Sequence, residues 1–303
     1  MNIKAAIQSL RIRTLPLSSA GVLLGILLAV SNWKVDFWTA VLLLLTAWSL
    51  QILSNLSNEL GDVLHHTDTD ERQGPQYGLN SRALSFGEMK ALIGLFIVLC
   101  IVFGSLMTWR AFGTLLDLTP ILVLMLGAAA IAGAMKYTLG AHPYGYQGKG
   151  DFYVFLFFGP VAVLGAYFIC TQGLGLHWKL LLPAFAAGCF STAVLNVNNL
   201  RDIKTDAATR ITVAIRLGEH KARIYQTALI VTGWVLMAGY TLLCWPSPWH
   251  WLWTVTLPLF ILHLKGVWQR RERALDPMLP LLVMATFLLC LLMGIGFCLY
   301  LLW

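Results

Sequence analysis

Asn58 and Asp62 stand four residues apart at the end of an apolar run, and 140 residues later Asn198 and Asp202 repeat that spacing, with Asp206 four further on. Residues i and i+4 share one face of a helix, so each Asn–Asp pair points one way, as do Asp202 and Asp206, and Asn55 joins the first face. Amide and carboxylate groups at the end of a membrane helix are costly unless paired, solvated or bound to a cation. The donor set is all oxygen, with no His or Cys among the pairs, which suits a hard cation. Mg²⁺ favours a few carboxylates completed by phosphate oxygens and water. Either cluster alone is also what a solvated, helix-capping acidic loop looks like; the repetition is what points to two matched sites. Basic residues interleave with both: Arg72 and Arg82 after the first, and Arg201, Lys204, Arg210 and Arg216 around the second. Two such acidic sites with cations between them would neutralise a diphosphate. For any single arginine, membrane topology or anionic headgroups are the alternative.

A third polar stretch runs from Lys136-Tyr137 through His142-Pro143-Tyr144-Gly145-Tyr146 to Lys149-Gly150-Asp151. Its Gly and Pro residues permit a tight reversal. Tyr144 and Tyr146 either anchor at the interface or sit beside the diphosphate, where a phenol donates a hydrogen bond to the leaving group or offers its ring to a developing cation.

The elements that must position these groups are membrane helices. The chain has 303 residues, 58% of them hydrophobic and only 12% charged, where a soluble domain is about a quarter charged. A soluble, a disordered and a collagen-like protein are all excluded. Nine runs approach the roughly 20 apolar residues a span needs: about 14–32, 37–57, 88–109, 118–139, 152–172, 178–198, 222–244, 249–268 and 279–302. With the N-terminus inside and the C-terminus outside, 18 of the 21 Lys and Arg residues fall on the inner side, and most tryptophans collect at the outer face. This is the positive-inside rule with an interfacial aromatic belt. The net charge of +7 therefore records topology, and no nucleic-acid partner is expected. The two long polar connections, 58–87 and 199–221, are both inner, so the chemistry is expected to face the cytoplasm. The fold expected is an all-α polytopic membrane protein, one domain over 1–303, with a weak duplication in which residues 55–62 echo 195–202. The six cysteines lack metal or redox spacing and read as small buried apolar residues.

At these residues the chain resembles the UbiA superfamily of intramembrane prenyltransferases, and within it the 1,4-dihydroxy-2-naphthoate polyprenyltransferases. The carrying stretches are Asn55-x-x-Asn58-Glu59-x-x-Asp62 with Thr67-Asp68 and Arg72-x-Gly74-Pro75; Pro143-Tyr144-Gly145-Tyr146 to Gly150-Asp151; and Asn198-Asn199-Leu200-Arg201-Asp202-Ile203-x-x-Asp206 with Arg216-Leu217-Gly218. Arg11-x-x-Thr14-Leu15-Pro16 is similar to the superfamily's N-terminal signature. Glu59 stands where Asp is frequent, and Arg210 where Lys is common, which keeps the charge but changes its geometry. The resemblance implies nine helices around a central cavity with cytosolic cap loops, in a bacterial inner membrane. It implies Mg²⁺-assisted loss of diphosphate from a polyprenyl diphosphate, alkylation of 1,4-dihydroxy-2-naphthoate and release of CO₂ to give a demethylmenaquinol. It further implies Asn58, Asp62, Asp68, Asn198, Asp202 and Asp206 at the metal ions. Arg72, Lys149, Arg201 and Arg210 would hold the diphosphate, and Asp62, Asp202, Tyr144 and Tyr146 would serve catalysis. The aromatic acceptor comes from the resemblance alone.

Two other readings stay open. A relative acting on 4-hydroxybenzoate or another acceptor would share every feature above. A secondary transporter also carries internal repeats and intramembrane polar groups, but near the bilayer midplane, whereas here they cluster at helix ends.

Overall fold

The computed structural model describes residues 2–65, 77–244 and 247–299. Asp68 and Arg72 lie outside them. The described residues are helical, with one backbone bridge, between Gln147 and Ile211, in place of any strand. A short amphipathic helix α1 (Ile3–Leu10), capped by Asn2, ends where Arg11 turns left-handed (φ 50°). Then follow α2 (Leu15–Val30), α3 (Phe37–Leu64), α4 (Phe86–Phe112) and α5 (Leu118–Lys136). Helix α6 (Gly150–Leu156) passes through a π turn at Phe157–Val161 into α7 (Ala162–Thr171). The wide turn accommodates Pro160, which has no N–H and crowds the preceding turn. The chain continues with α8 (Leu181–Arg201), the single turn α9 (Ile203–Asp206), α10 (Val213–Leu243, broken at Gly218), α11 (Leu257–Gln269) and α12 (Met278–Leu299).

Eight helical segments among the described residues are long and apolar enough to cross a bilayer. The remaining expected span, 249–268, coincides with a nine-residue 3₁₀ stretch, Pro248–Thr256, running into the 13 residues of α11. At about 2.0 and 1.5 Å per residue this is roughly 38 Å of helix. Its Trp249, His250, Trp251 and Trp253 lower its apolarity below that of the others. Helix α3 carries the first polar pair beyond the apolar layer: its 28 residues reach about 42 Å, well beyond a hydrocarbon core of about 30 Å. Its last two turns, with Asn58 and Asp62, therefore continue past the end of its apolar run.

Close helix approach is set by glycine. A Cβ on Gly25 would fall 2.3 Å from the Val163 carbonyl oxygen, and one on Gly21 2.7 Å from that of Phe158, so α2 lies directly against the π turn and α7. Gly159 and Gly188 bring the π turn onto α8 in the same way. Small residues at helix contacts are how membrane bundles gain packing where apolar burial offers little. The buried side chains form two large groups. One surrounds α8 and α12 through Phe190, Phe260, Trp253 and Leu282, and the other joins α3 to α4 through Leu53, Leu56 and Met89. Polar side chains buried around α10 and α11 are paired. His263 is bound by Gln226 Nε2 at 3.0 Å and by the Met278 carbonyl at 3.0 Å, and Gln226 in turn accepts from Asn196. Arg223 donates to the Val267 and Trp268 carbonyls near the end of α11 and to that of Arg270 just after it.

Candidate functional site

The bundle holds a cavity of about 1410 Å³. At one end it is lined by Arg11, Arg13, Asn55, Asn58, Tyr77, Asn198 and Arg201; along most of its length its walls are apolar side chains of α3, α5, α7 and α8. The polar end is where the two Asn-x-x-x-Asp stretches arrive.

Tertiary folding joins them through Arg210. Its Nη2 bonds the Asp206 carboxylate at 2.7 Å and its Nη1 lies 3.8 Å from Asp62 Oδ1. Both carboxylates are buried, and the guanidinium is only 14% exposed. Burial works against the Arg210 charge, but Asp62 and Asp206 outweigh it, so its pKa stands above the ordinary arginine value. On the other side, the Tyr146 hydroxyl donates to Asp62 Oδ1 at 2.7 Å. Asn58 accepts from the Thr138 hydroxyl at 3.2 Å, and α3 approaches that residue so closely that a Cβ on Gly61 would meet Thr138 at 2.6 Å.

The second stretch behaves differently from the first. Helix α8 stops at Arg201, yet the spacing survives the break because Asp202 N–H bonds the Asn198 carbonyl and Asp206 N–H the Asp202 carbonyl. The Asp202 side chain takes both oxygens to Arg201, at 2.9 and 2.6 Å, in a pair that is almost wholly buried. Arg201 also donates to Asn198 Oδ1 at 2.9 Å and to Asp276 at 2.8 Å, tying α8 to the turn before α12. The carboxylates that meet across the site are thus Asp62 and Asp206. Asp202 is held one turn away, inside an arginine clamp. Lys149 is exposed at the start of α6.

The loop carrying Tyr144 and Tyr146 is pinned over this end. Ile211 N–H bonds the Tyr146 carbonyl at 3.0 Å and Arg216 bonds that of Gln147 at 3.1 Å. Tyr144 spends its hydroxyl on the Gly133 carbonyl at 2.6 Å, and burial pushes its pKa up. Tyr137 joins the site without having been singled out by any motif. It lines the cavity, stands edge-on to Tyr144, and its hydroxyl has no hydrogen-bond partner among the described residues. Burial raises its pKa to about 12 against the pull of Arg210, with Asp151, Asp62 and Asp206 adding to the rise. No local spacing marks this phenol in the sequence.

The opposite wall of the polar end comes from the N-terminus. Arg11 lies 4.0 Å over the Tyr77 ring and Arg13 donates to its hydroxyl at 2.6 Å. Asn55 bonds the Leu10 carbonyl and Thr14, so it holds the α1–α2 junction in place. The Arg11-x-x-Thr14 signature was the one legible sign of this wall. Glu59, fully buried, accepts from Leu79 N–H at 2.6 Å and secures the segment bearing Tyr77.

Among known proteins, the UbiA prenyltransferase family model matches residues 18–282. The chain belongs to the UbiA prenyltransferase family. It is 38% identical over 295 residues to a 1,4-dihydroxy-2-naphthoate octaprenyltransferase of Escherichia coli (strain K12), covering 97% of this chain and 94% of that protein. It is 39% identical over 263 residues to a protein of the same description from Mycobacterium tuberculosis (strain ATCC 25618 / H37Rv), covering 84% and 82%. Among solved structures it resembles the apo form of a UbiA homolog from Aeropyrum pernix K1, with a TM-score of 0.67 at 15% identity over 96% of this chain and 97% of that one. That likeness concerns the fold. This UbiA family member is thus an integral membrane protein with polar side chains of both repeated stretches, Asn58, Asn198 and Arg201, at one end of a largely apolar cavity.

The donors at that end fit a divalent cation in kind. Asn58, Asp62, Asn198 and Asp206 offer oxygen only, and a guanidinium already lies between the two carboxylates, so the cluster is built around positive charge. Among the described residues no three His, Cys, Asp or Glu side chains stand close enough to hold a metal by themselves. A small hard cation would therefore be completed by substrate oxygens and water.

Proposed function

We propose that this protein transfers a polyprenyl group from a polyprenyl diphosphate to 1,4-dihydroxy-2-naphthoate, giving a demethylmenaquinol, diphosphate and CO₂. The observation that carries this reading is that Asn58 and Asn198, one from each repeated stretch, line one end of a largely apolar cavity together with Arg201, while Arg210 ties Asp62 to Asp206 behind them. A prenyl diphosphate has the same division, a dianionic or trianionic head on a hydrocarbon tail. The acceptor follows from relatives similar over nearly the whole chain.

Mg²⁺ would be held by Asn58, Asp62 and Asp206, with Asn198 and Asp68 as further oxygen donors, and would supply neutralisation of the diphosphate charge. Arg210 sits between the carboxylates to receive phosphate oxygens, with Arg72 and Lys149 as further contacts. Arg201 holds Asp202 and Asn198 in register for the same end. Tyr146 orients Asp62. Tyr137, with a hydroxyl to spare and a pKa that keeps it protonated, donates to the departing diphosphate, while Tyr144, edge-on to it and fixed through Gly133, keeps that ring in place. As the C–O bond to the first prenyl carbon breaks, the diphosphate takes the electron pair. The ring carbon bearing the carboxylate then bonds to the allylic carbon, and loss of CO₂ returns its bonding pair to the ring. Apolar walls keep water from the allylic cation.

In the same reading the protein has nine spans, with Pro248–Gln269 as the eighth, its N-terminus in the cytoplasm and its C-terminus outside. The site then opens to the cytoplasmic side of a bacterial inner membrane, which the basic bias supports. The test is a membrane assay offering octaprenyl diphosphate with 1,4-dihydroxy-2-naphthoate or 4-hydroxybenzoate, with Mg²⁺ or with EDTA, the product followed by mass. Mg²⁺-dependent prenylated, decarboxylated naphthoquinol is expected. Prenylated hydroxybenzoate in its place would overturn the acceptor, and unchanged turnover in EDTA would overturn the metal.

A further inference from the structure

Two kinds of helical glycine stand out in this fold. Gly21, Gly25, Gly159, Gly188, Gly294 and Gly296 are packing glycines, where a Cβ would fall within 3 Å of a neighbouring helix. Gly127 in α5 and Gly165 in α7 are different. Both sit inside helices, where glycine is unfavourable, both line the cavity, and a Cβ on either would meet nothing within 4 Å. Packing does not explain their size, and what they border is the cavity.

Their position along it can be worked out. Near the polar end α5 closes on the π turn, where a Cβ on Gly133 would meet the Phe157 ring at 3.3 Å. From there Gly127 is six residues along α5 and Gly165 eight residues along the antiparallel α6–α7 segment. At about 1.5 Å per residue they lie roughly 9 and 12 Å beyond that contact, at similar depth on two walls. Measured from Tyr137, Gly127 is ten residues, or about 15 Å, down the cavity. A C5 prenyl unit extends about 5 Å, four bonds of roughly 1.5 Å in zigzag. The glycine level is thus where the third unit of a tail ends and the fourth begins, for a diphosphate seated beside Tyr137, which lines the cavity.

We infer that Gly127 and Gly165 hold open the prenyl-tail channel, and that side-chain size at these two positions sets whether donors longer than about three C5 units are accepted. This rests on the proposed function, in taking the occupant of the cavity to be the donor's tail.

The experiment compares kcat/KM for geranyl, farnesyl, geranylgeranyl and octaprenyl diphosphates with 1,4-dihydroxy-2-naphthoate in wild type, Gly127→Leu and Gly165→Leu. Each leucine variant is expected to keep geranyl turnover within about twofold and to lose tenfold or more with geranylgeranyl and octaprenyl donors. Gly94→Leu is the control: Gly94 is equally open but exposed on α4 and not part of the cavity lining, and its selectivity should match wild type. Gly127→Ala and Gly165→Ala should shift the same ratio two- to threefold, and they decide the matter if a leucine costs the fold. An unchanged octaprenyl-to-geranyl ratio in the alanine and leucine variants overturns the inference while leaving the function intact. A wild type inactive with every donor overturns both.

Discussion

Removing the Tyr146 hydroxyl is the sharpest probe of how the site is held. It donates to Asp62 Oδ1 at 2.7 Å, and Asp62 is 4% exposed, with Arg210 Nη1 3.8 Å from the same oxygen. A hydrogen bond to a charged group contributes about 1.5–3 kcal/mol, and a neutral one about 0.5–1.5 kcal/mol. Tyr144, whose hydroxyl serves a backbone carbonyl at 2.6 Å, is the neutral comparison on the same loop. If Tyr146 orients the carboxylate that binds Mg²⁺, Tyr146→Phe should lower kcat/KM by about 10- to 150-fold, at about 1.4 kcal/mol per decade. It should also raise the Mg²⁺ concentration for half-maximal rate. Tyr144→Phe should cost at most about tenfold and leave the Mg²⁺ titration where it was. The assay is initial rate of quinol formation in membranes across a Mg²⁺ series, with the amount of folded protein normalised. In a double-mutant cycle, Tyr146→Phe should add little on top of Asp62→Asn, because the two share one contact. A Tyr146→Phe enzyme with wild-type rate and wild-type Mg²⁺ titration would refute the positioning role.

Other outcomes rest on the same geometry. Arg210→Lys keeps a cation between Asp62 and Asp206 and should hold kcat/KM within about tenfold, whereas Arg210→Met leaves two buried carboxylates facing each other and should cost more than about a hundredfold; both are read in the membrane assay. Asp202→Asn breaks a bidentate pair that is 4% and 1% exposed and should destabilise the protein by about 3–5 kcal/mol, visible as a lower unfolding midpoint in detergent, together with loss of turnover. Gly25→Ala places a methyl 2.3 Å from the Val163 carbonyl oxygen and should cost about 1–3 kcal/mol by forcing α2 from α7. Gly127→Ala, where a Cβ meets nothing within 4 Å, should instead leave that midpoint the same or raise it, stabilising by up to about 1 kcal/mol.

What the sequence could say by itself was whatever depends on neighbours along the chain. Apolar runs of membrane length located the membrane-spanning parts of the helices, because a bilayer requires about 20 apolar residues however the helices later pack, but not the polar extensions of α3 to Leu64 and of α10 back to Val213. The four-residue spacing of Asn58 with Asp62 places both on one face of α3, since the helical repeat is local, whereas the same spacing in Asn198, Asp202 and Asp206 runs across the end of α8. The similarity of Asn198–Asp206 to a family motif carried the chemistry further. That Asp202 turns to Arg201 while Asp206 reaches Arg210 was decided by the end of α8 at Arg201 and the single turn of α9, which rotate the two carboxylates toward different partners. Tyr137 and Tyr77 entered the site through contacts across the bundle that leave no trace in spacing. Gly127 and Gly25 are alike as letters in apolar helices. Only the distance from each to the facing helix, open space for one and 2.3 Å for the other, separates a glycine that shapes a cavity from one that closes a contact. Side-chain direction and interhelical distance belong to the packed bundle, because they depend on residues far apart in the chain.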